Sequence, residues 1–508
     1  MKRLFIIFFI ALSSFPSEIL AQADTFHLSL SKAIALAEQQ SIAAFRNKNM
    51  YLSDYWTYKN YKALFLPSLN FDADVLDYAQ GITREYNSTT STYDYVFNKN
   101  LTTSVGLYVE QNIALTGGTL ELNYDLNRYE DYGEYSYRQY ASTPLMFSYS
   151  QSVFGYNNYK WLRRISPLEF EKAKKEYLYN NEQLHLNVVC YFFNLAQANN
   201  NLEIAKQKKA NAEYRYKMGQ KKYALGIMKR VDVLDLEVSL RNAEVLVNEE
   251  IINQQEALMH LNSFLKLPPN TPLILDFDFG VPLVRLDEAE ILDRAISNNP
   301  EMLDYKLDLL YAESAMEKAK REKGFSFDLE LAYGISALDG GYSSATSSYE
   351  NGEISAMFHS PFERYSQAAI GIDLPIVDWG RRRGTYKIKK AQYDIARSEY
   401  EQDLANFKQQ ILIMVRQFNL LPSNIEAAAI SDKAAQESYI IYDKYFKKGE
   451  ADLINLISSI NQRDAARRNY LSALYSYWYS YYEIRMYTLY DFVEKRDLEA
   501  DFEALIRN

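Results

Sequence analysis

Tyr223-Ala-Leu-Gly226, followed by Val231-Asp232-Val233-Leu234-Asp235, has a counterpart in Phe446-Lys-Lys-Gly449, followed by Ile454-Asn455-Leu456-Ile457-Ser458. Each stretch reads as a glycine-closed helical turn that follows a matching helix, strand region and long helix. Self-similarity on this scale decides architecture before any single residue does. Leu66-Pro67-Ser68-Leu69 aligns with Gly324-Phe325-Ser326-Phe327 at an offset of 258, which also pairs Ala37 with Ala295 and Leu28 with Leu286. The glycine turns are offset by 223, so the first half carries 35 extra residues. Val153-Phe154 and Val377-Asp378 pair at 224, which confines the insertion to the segment between Ser68 and Phe154. The plan is two halves, one with an added β-hairpin.

Glycine and proline are scarce in the 508 residues, at 18 and 12, which favours long uninterrupted elements. Tyrosine is common, at 44, as in an interfacial aromatic belt or in aromatic helix packing. A net charge of −10 excludes the basic footprint of a nucleic-acid binder. Lys2 and Arg3, the apolar run Leu4 to Leu12 and the small residues ending at Ala21-Gln22-Ala23 predict a secretory signal over 1–23, cleaved after Ala21 or Ala23. No stretch approaches the ~20 apolar residues of a membrane helix. A membrane crossing therefore requires a closed β-barrel, the other structure that satisfies every backbone group in lipid. Cys190, the single cysteine, sits in Leu186-Asn-Val-Val-Cys190-Tyr-Phe-Phe and reads as a small buried helix residue.

Several segments alternate apolar and polar residues with period two. Val105, Leu107 and Val109 oppose Ser104, Gly106 and Glu110; Gly117-Gly118 then turns the chain into Leu120-Glu-Leu122-Asn-Tyr124-Asp-Leu126. Leu145, Phe147 and Tyr149 form another set, as do Phe325 to Leu331 and Ala368 to Leu374. Acidic residues and asparagine at alternate positions suit a water-filled lumen, although a soluble sheet with one wet face shares the pattern. The polar stretches Gly81 to Asn100, Tyr129 to Thr143 and Ala337 to Gln367 read as long extracellular loops. Pro167 to about Leu225 and Lys387 to Lys448 predict helices of ~90 Å at ~1.5 Å per residue. Val231 to Leu265 and Leu453 to about Tyr490 return from the glycine turns, making two antiparallel helical hairpins. Pro422 predicts a kink, because it removes an amide donor and crowds the carbonyl of Phe418.

These features resemble the TolC family of outer-membrane efflux proteins over nearly the whole mature chain. The resemblance rests on the Ala-rich first helix of each half (Leu30 to Ala44; Leu286 to Pro300) and the junction Leu66-Pro67-Ser68. Leu374-Pro-Ile-Val-Asp-Trp-Gly380-Arg-Arg-Arg-Gly384 and the Tyr/Phe-x-x-Gly turns add to it. It implies a mixed α and β fold: a trimeric outer-membrane β-barrel continued by a long periplasmic α-helical barrel, built from two internal structural repeats. The expected organisation is a first repeat over 24–265, a linker over 266–283, a second repeat over 284–490 and a C-terminal tail over 491–508. The resemblance further implies a homotrimer in outer-membrane lipid, partnered by a periplasmic adaptor (membrane-fusion) protein and an inner-membrane efflux pump or ABC transporter.

In the family, the glycine turns lie at the periplasmic tip and meet the adaptor, which carries that role to Gly226 and Gly449; glycine at a helix end also supplies the left-handed residue of a C-cap. Many members close the tunnel with aspartates six and nine residues after the second-half glycine. Here those positions are Asn455 and Ser458, and the acidic pair, Asp232 and Asp235, lies on the first-half turn. With Asp452, these are the candidate constriction residues, and a charged ring is in doubt. Arg381, Arg382 and Arg383 form a basic cluster expected at the membrane boundary. The extra hairpin at Gly117-Gly118 departs from the family's four strands per protomer, and either widens the barrel or forms a rim beside it.

His27, His185, His260 and His359 have no ligand spacing, and Gly380-Arg-Arg-Arg-Gly384 lacks a phosphate loop's spacing and lysine. No catalytic constellation, cofactor site or metal site is expected. The leading reading is a passive exit duct of a tripartite efflux or type I secretion system. The rival reading is a periplasmic coiled-coil scaffold or adaptor with a soluble β-domain.

Overall fold

A computed structural model of the chain describes residues 26–87, 89–132, 137–276, 284–339, 363–448 and 453–507. The signal segment, Gly449, Asp452 and the end of the linker lie outside the described residues, as does most of the expected loop Ala337 to Gln367. The fold is mixed α and β and mostly helical. In chain order the elements are β1 (Phe26–Ser29), α1 (Leu30–Gln40), α2 (Ile42–Ala63), β2 (Ser68–Asn87), β3 (Thr92–Asn112), β4 (Thr119–Asp131), β5 (Tyr137–Val153), α3 (Asn158–Ala224) and α4 (Arg230–Phe264). There follow β6 (Leu273–Asp276), α5 (Glu288–Asn298), α6 (Pro300–Glu322), β7 (Ser326–Asp339), β8 (Glu363–Asp373), α7 (Arg381–Lys448), α8 (Leu453–Thr488), β9 (Tyr490–Asp491), β10 (Arg496–Asp497) and α9 (Phe502–Arg507).

The chain divides into two compact units. Among the described residues, the first comprises 26–51, 175–299 and 407–507. Its core is helical: Val188, Val189, Phe192 and Leu195 of α3, Ile411, Val415 and Phe418 of α7, and Leu474, Tyr477 and Ile484 of α8 are buried. Tyr477 packs its ring 5.2 Å from that of Phe418, so the tyrosine-rich stretch of α8 is packing surface. Strand β6 lies inside the expected linker and pairs in parallel with β1. Small polar residues shape matching places here. Ser29 caps α1 and Asp287 caps α5, 258 residues apart. Ser41 and Asn299 adopt extended backbone at the ends of α1 and α5, again 258 apart.

The second unit comprises Leu52–Lys174 and Pro300–Asn406 and holds one antiparallel sheet in the order β2-β3-β4-β5-β7-β8. Its registers align apolar residues strand by strand: Leu69 opposite Val109, then Leu122, Phe147 and Tyr333. The alternate row runs Ser68, Glu110, Glu121, Ser148, Ala332. Trp161 and Ile165 of α3 pack on Leu307 of α6 beside the sheet's helical partners.

Four expectations are corrected. The stretches read as long loops, Gly81 to Asn100 and Tyr129 to Thr143, are mostly strand, with hairpins extended to Asn87/Thr92 and Asp131/Tyr137. Their tyrosines and threonines are polar but favour pleated backbone, so polarity alone does not distinguish them from loops. The long helices start earlier than expected, at Asn158 and Arg381. Pro167 is interior to α3 rather than its first residue. Cys190 is half-buried, with Sγ 3.7 Å from the Tyr475 hydroxyl, since its side of α3 faces an aromatic neighbour rather than the packed core.

Candidate functional site

The first-half turn is built by its backbone. Gly226 has φ +71°, and its amide donates to the Tyr223 carbonyl (2.9 Å) while that of Ile227 donates to Lys222 (2.8 Å). These two bonds satisfy carbonyls that the end of α3 would otherwise leave unpaired. An added Cβ would meet no atom within 4 Å, so the left-handed backbone alone demands glycine here. Six residues on from Gly226, Asp232 Oδ2 accepts the Lys229 amide at 3.3 Å, and the carboxylate sits where the helix dipole favours negative charge. Asp232 is thus a helix-start residue, and both it and Asp235 are exposed. Asn455 and Ser458 are also exposed, one turn apart at the start of α8. Above the turn, α3, α4, α7 and α8 enclose a groove of about 320 Å³ lined by Arg215, Asn242, Leu246, Phe446, Leu456 and Asn461.

The basic cluster is divided in its roles. Arg381 to Arg383 are the first residues of α7, after Trp379 and Gly380, which have φ +53° and +81°. Asp378 caps the helix by accepting the Gly380 (2.9 Å) and Arg382 (3.0 Å) amides, which hold its carboxyl below the usual range. Arg382 donates to Asp373 Oδ2 at 3.0 Å and to the carbonyls of Gly324 (3.3 Å) and Glu322 (3.5 Å). It thereby clamps the end of β8 to the α6–β7 junction, beside a cavity of about 450 Å³. Nothing in the sequence distinguishes Arg382 from its two neighbours, because two of its three partners, the carbonyls of Gly324 and Glu322, lie 58 and 60 residues away.

The polar face of the sheet is acidic. Asp72, Glu110, Glu121, Asp125, Asp328 and Glu330 share it, by the registers of all six strands. Among the described residues, no lysine, arginine or histidine of these strands stands on that face; Arg84, Lys99, Arg128, Arg138 and Arg364 fall on the other. Acidic residues at alternate positions are visible strand by strand in the sequence; that these six share one face of the sheet is set by the registers that pair the strands.

A buried network in the first unit was also missed. His185 Nε2 donates to Glu38 Oε1 at 2.7 Å, and its Nδ1 lies 3.3 Å from Glu182. Arg485 donates to Glu182 (3.0 Å) and to Asp491 (2.8 Å), whose other oxygen accepts the Tyr481 hydroxyl at 3.1 Å. Burial disfavours charge on His185, but the bonds to Glu182 and Glu38 outweigh it and push the pKa up to about 9. The members are scattered from residue 38 to 491, so no spacing could reveal them. They tie α1, α3 and α8 to the C-terminal segment, which is a structural task. Among the described residues no group of three or more His, Cys, Asp or Glu could hold a metal ion, and no helix is long and apolar enough to cross a membrane.

Comparison with known proteins places this geometry. A family profile described as "Outer membrane efflux protein" matches residues 112–265 and 291–486. The outer membrane protein TolC of Vibrio cholerae is 23% identical over 330 residues, covering 62% of this chain and 69% of that protein. The crystal structure of the Campylobacter jejuni CmeC outer membrane channel superposes with a TM-score of 0.61 at 14% identity, covering 94% of this chain and 88% of that one. The outer membrane protein VceC of Vibrio cholerae gives 0.55 at 12% identity, covering 91% and 95%.

Proposed function

Because this chain belongs to the outer membrane efflux protein family and is an outer-membrane efflux channel, we propose that three copies form one continuous exit duct. The observation that carries this reading is the sheet of the second unit, with an apolar face, an acidic face and two unpaired edges, β2 and β8. The two edge strands run in opposite directions, so β8 of one copy meets β2 of the next antiparallel and the ring closes without an exposed edge. The apolar face then meets lipid and the acidic face lines water. The helical hairpins extend the duct through the periplasm to the turns at Gly226 and Gly449, where the adaptor and an inner-membrane pump or ABC transporter dock. The chain contributes passage, and its partners supply the energy.

Two internal repeats, over 24–265 and 284–490, underlie this plan. Their support is the recurrence of caps and helix breaks at one offset and of the starts of α3/α7 and α4/α8 at 223. The gate is the finer part of the proposal. With Asn455 and Ser458 in place of an acidic pair, the closed tip is held by packing and hydrogen bonds rather than by a ring of carboxylates. The wild-type trimer and its Asn455→Asp variant, compared by single-channel recording with added divalent cations, test this. The variant should acquire cation block. Unchanged conductance and unchanged block would remove these positions from the pore.

A further inference from the structure

We infer that the β3–β4 hairpin is part of the outer-membrane wall, with its apolar face against acyl chains, so that the trimer proposed above closes as an 18-strand barrel. The inference rests on that trimeric reading and settles a point the sequence leaves open, namely whether the hairpin widens the barrel or stands beside it.

The first argument is pairing. β3 and β4 lie inside the sheet, not on its margin: β3 bonds to β2 along Ser68 to Asn87, and β4 bonds to β5 from Thr119 to Asp131. Removing the hairpin to a rim would break both ladders, leaving β2 without a partner within the chain. The second is continuity of the faces. Val105, Leu107 and Val109 of β3 stand opposite Leu126, Tyr124 and Leu122 of β4, and these rows continue the apolar rows of β2, β5 and β7. Leu107, Leu120 and Tyr124 are exposed in the single chain, as are Phe147 and Leu331 on the neighbouring strands. From Leu101 to Val109 the β3 part of this face measures about 27 Å along the strand, or about 21 Å of membrane height at a tilt of about 40°, comparable to the apolar band of an outer-membrane barrel. The opposite side carries Glu110, Glu121 and Asp125 in register with the acidic face of the other strands, so the hairpin has the same wet side and dry side as the rest.

The third argument is the anchoring of its base. Gln111 and Asn112 donate to the carbonyls of Phe65 (2.8 Å) and Leu64 (3.2 Å) at the end of α2. Asn157, at the start of α3, donates to Ala114 (3.1 Å) in the connecting turn and caps the helix by accepting the Lys160 amide (2.9 Å). Gly117 has φ +80°, and a Cβ there would come within 2.9 Å of Asn157, so the turn is shaped to fit against the helix. The hairpin's base therefore sits at the same level as the strand–helix junctions.

With strands ~4.8 Å apart and tilted by about 40°, 18 strands enclose a barrel about 36 Å across between backbones, against about 24 Å for twelve. The outer-membrane segment then does not limit cargo width, and size selection falls to the helical part of the duct.

Site-directed spin labels test this in lipid-reconstituted trimers on a Cys190→Ala background. Labels at Leu107→Cys and Leu122→Cys report on the hairpin, Phe147→Cys and Leu331→Cys on β5 and β7, and Asp125→Cys and Ser148→Cys on the polar face. The inference requires the oxygen-to-nickel-chelate accessibility ratio at Leu107 and Leu122 to match that at Phe147 and Leu331, about tenfold above the polar-face labels. If Leu107 and Leu122 meet the water-soluble chelate, or neither reagent, while Phe147 and Leu331 remain in lipid, the hairpin is outside the wall and the inference falls with the channel reading intact. If Phe147 and Leu331 also fail to meet lipid, the barrel reading itself falls and the inference with it.

Discussion

At the scale of single residues, chemistry that sequence spacing hides becomes visible through partners. His185 is held charged inside the first unit by Glu38 and Glu182, with Arg485, Asp491, Tyr481 and Tyr482 completing its surroundings. Its pKa is raised from an ordinary 6.5 to about 9, so its contribution to stability is full below pH 6.5 and is lost as pH rises through 9. The midpoint of thermal loss of helix should therefore fall between pH 7 and pH 10, with an effect on the order of 2 kcal/mol. In His185→Gln the pH dependence over that interval should flatten; an unchanged slope would show that the histidine is not the titrating group. Gly226 is a different case. Its requirement comes from the chain's own handedness, and the motif was readable from neighbouring residues alone.

At the scale of elements, junctions matter more than interiors. The β8–α7 corner turns through two left-handed residues, Trp379 and Gly380, and is then secured by Asp378 and Arg382. Truncating Arg382 removes a partly buried charged donor from one carboxylate and two carbonyls, a loss of about 1–3 kcal/mol for bonds of this kind. Arg382→Ala should accelerate amide exchange at the end of β8 and the first turn of α7 by tenfold or more, whereas Arg381→Ala and Arg383→Ala should leave it nearly unchanged. Equal effects at all three positions would return the cluster to a purely electrostatic role. The same scale explains the misread loops. Tyr, Thr and Asn in Gly81 to Asn100 are hydrophilic by composition, but cross-strand pairs such as Tyr86 with Tyr93, whose rings lie 5.3 Å apart, keep them in the ladder.

At the scale of the whole molecule, charge and topology combine. Carboxylates on one face of every strand except β5, and no cation among the described residues of that face, predict a duct that prefers cations. Reversal potentials across a salt gradient should show the preference, and replacing Glu121, Asp125 and Glu330 together by their amides should reduce it; an unaltered reversal potential would mean that selectivity is set elsewhere. Much of this architecture was already written in the residue order. Offsets between similar segments reveal two halves and place the insertion, and period-two and glycine signals mark strands and turns, because those depend on neighbours along the chain. Pairing is another matter. That the inserted strands lie between β2 and β5, that Asp72, Glu110, Glu121, Asp125, Asp328 and Glu330 share one side, that Arg382 reaches the carbonyls of Gly324 and Glu322, and that Glu38, His185 and Arg485 share a network are all facts of residues distant in sequence. Such contacts are set by register, bulges and packing, which local propensity does not encode.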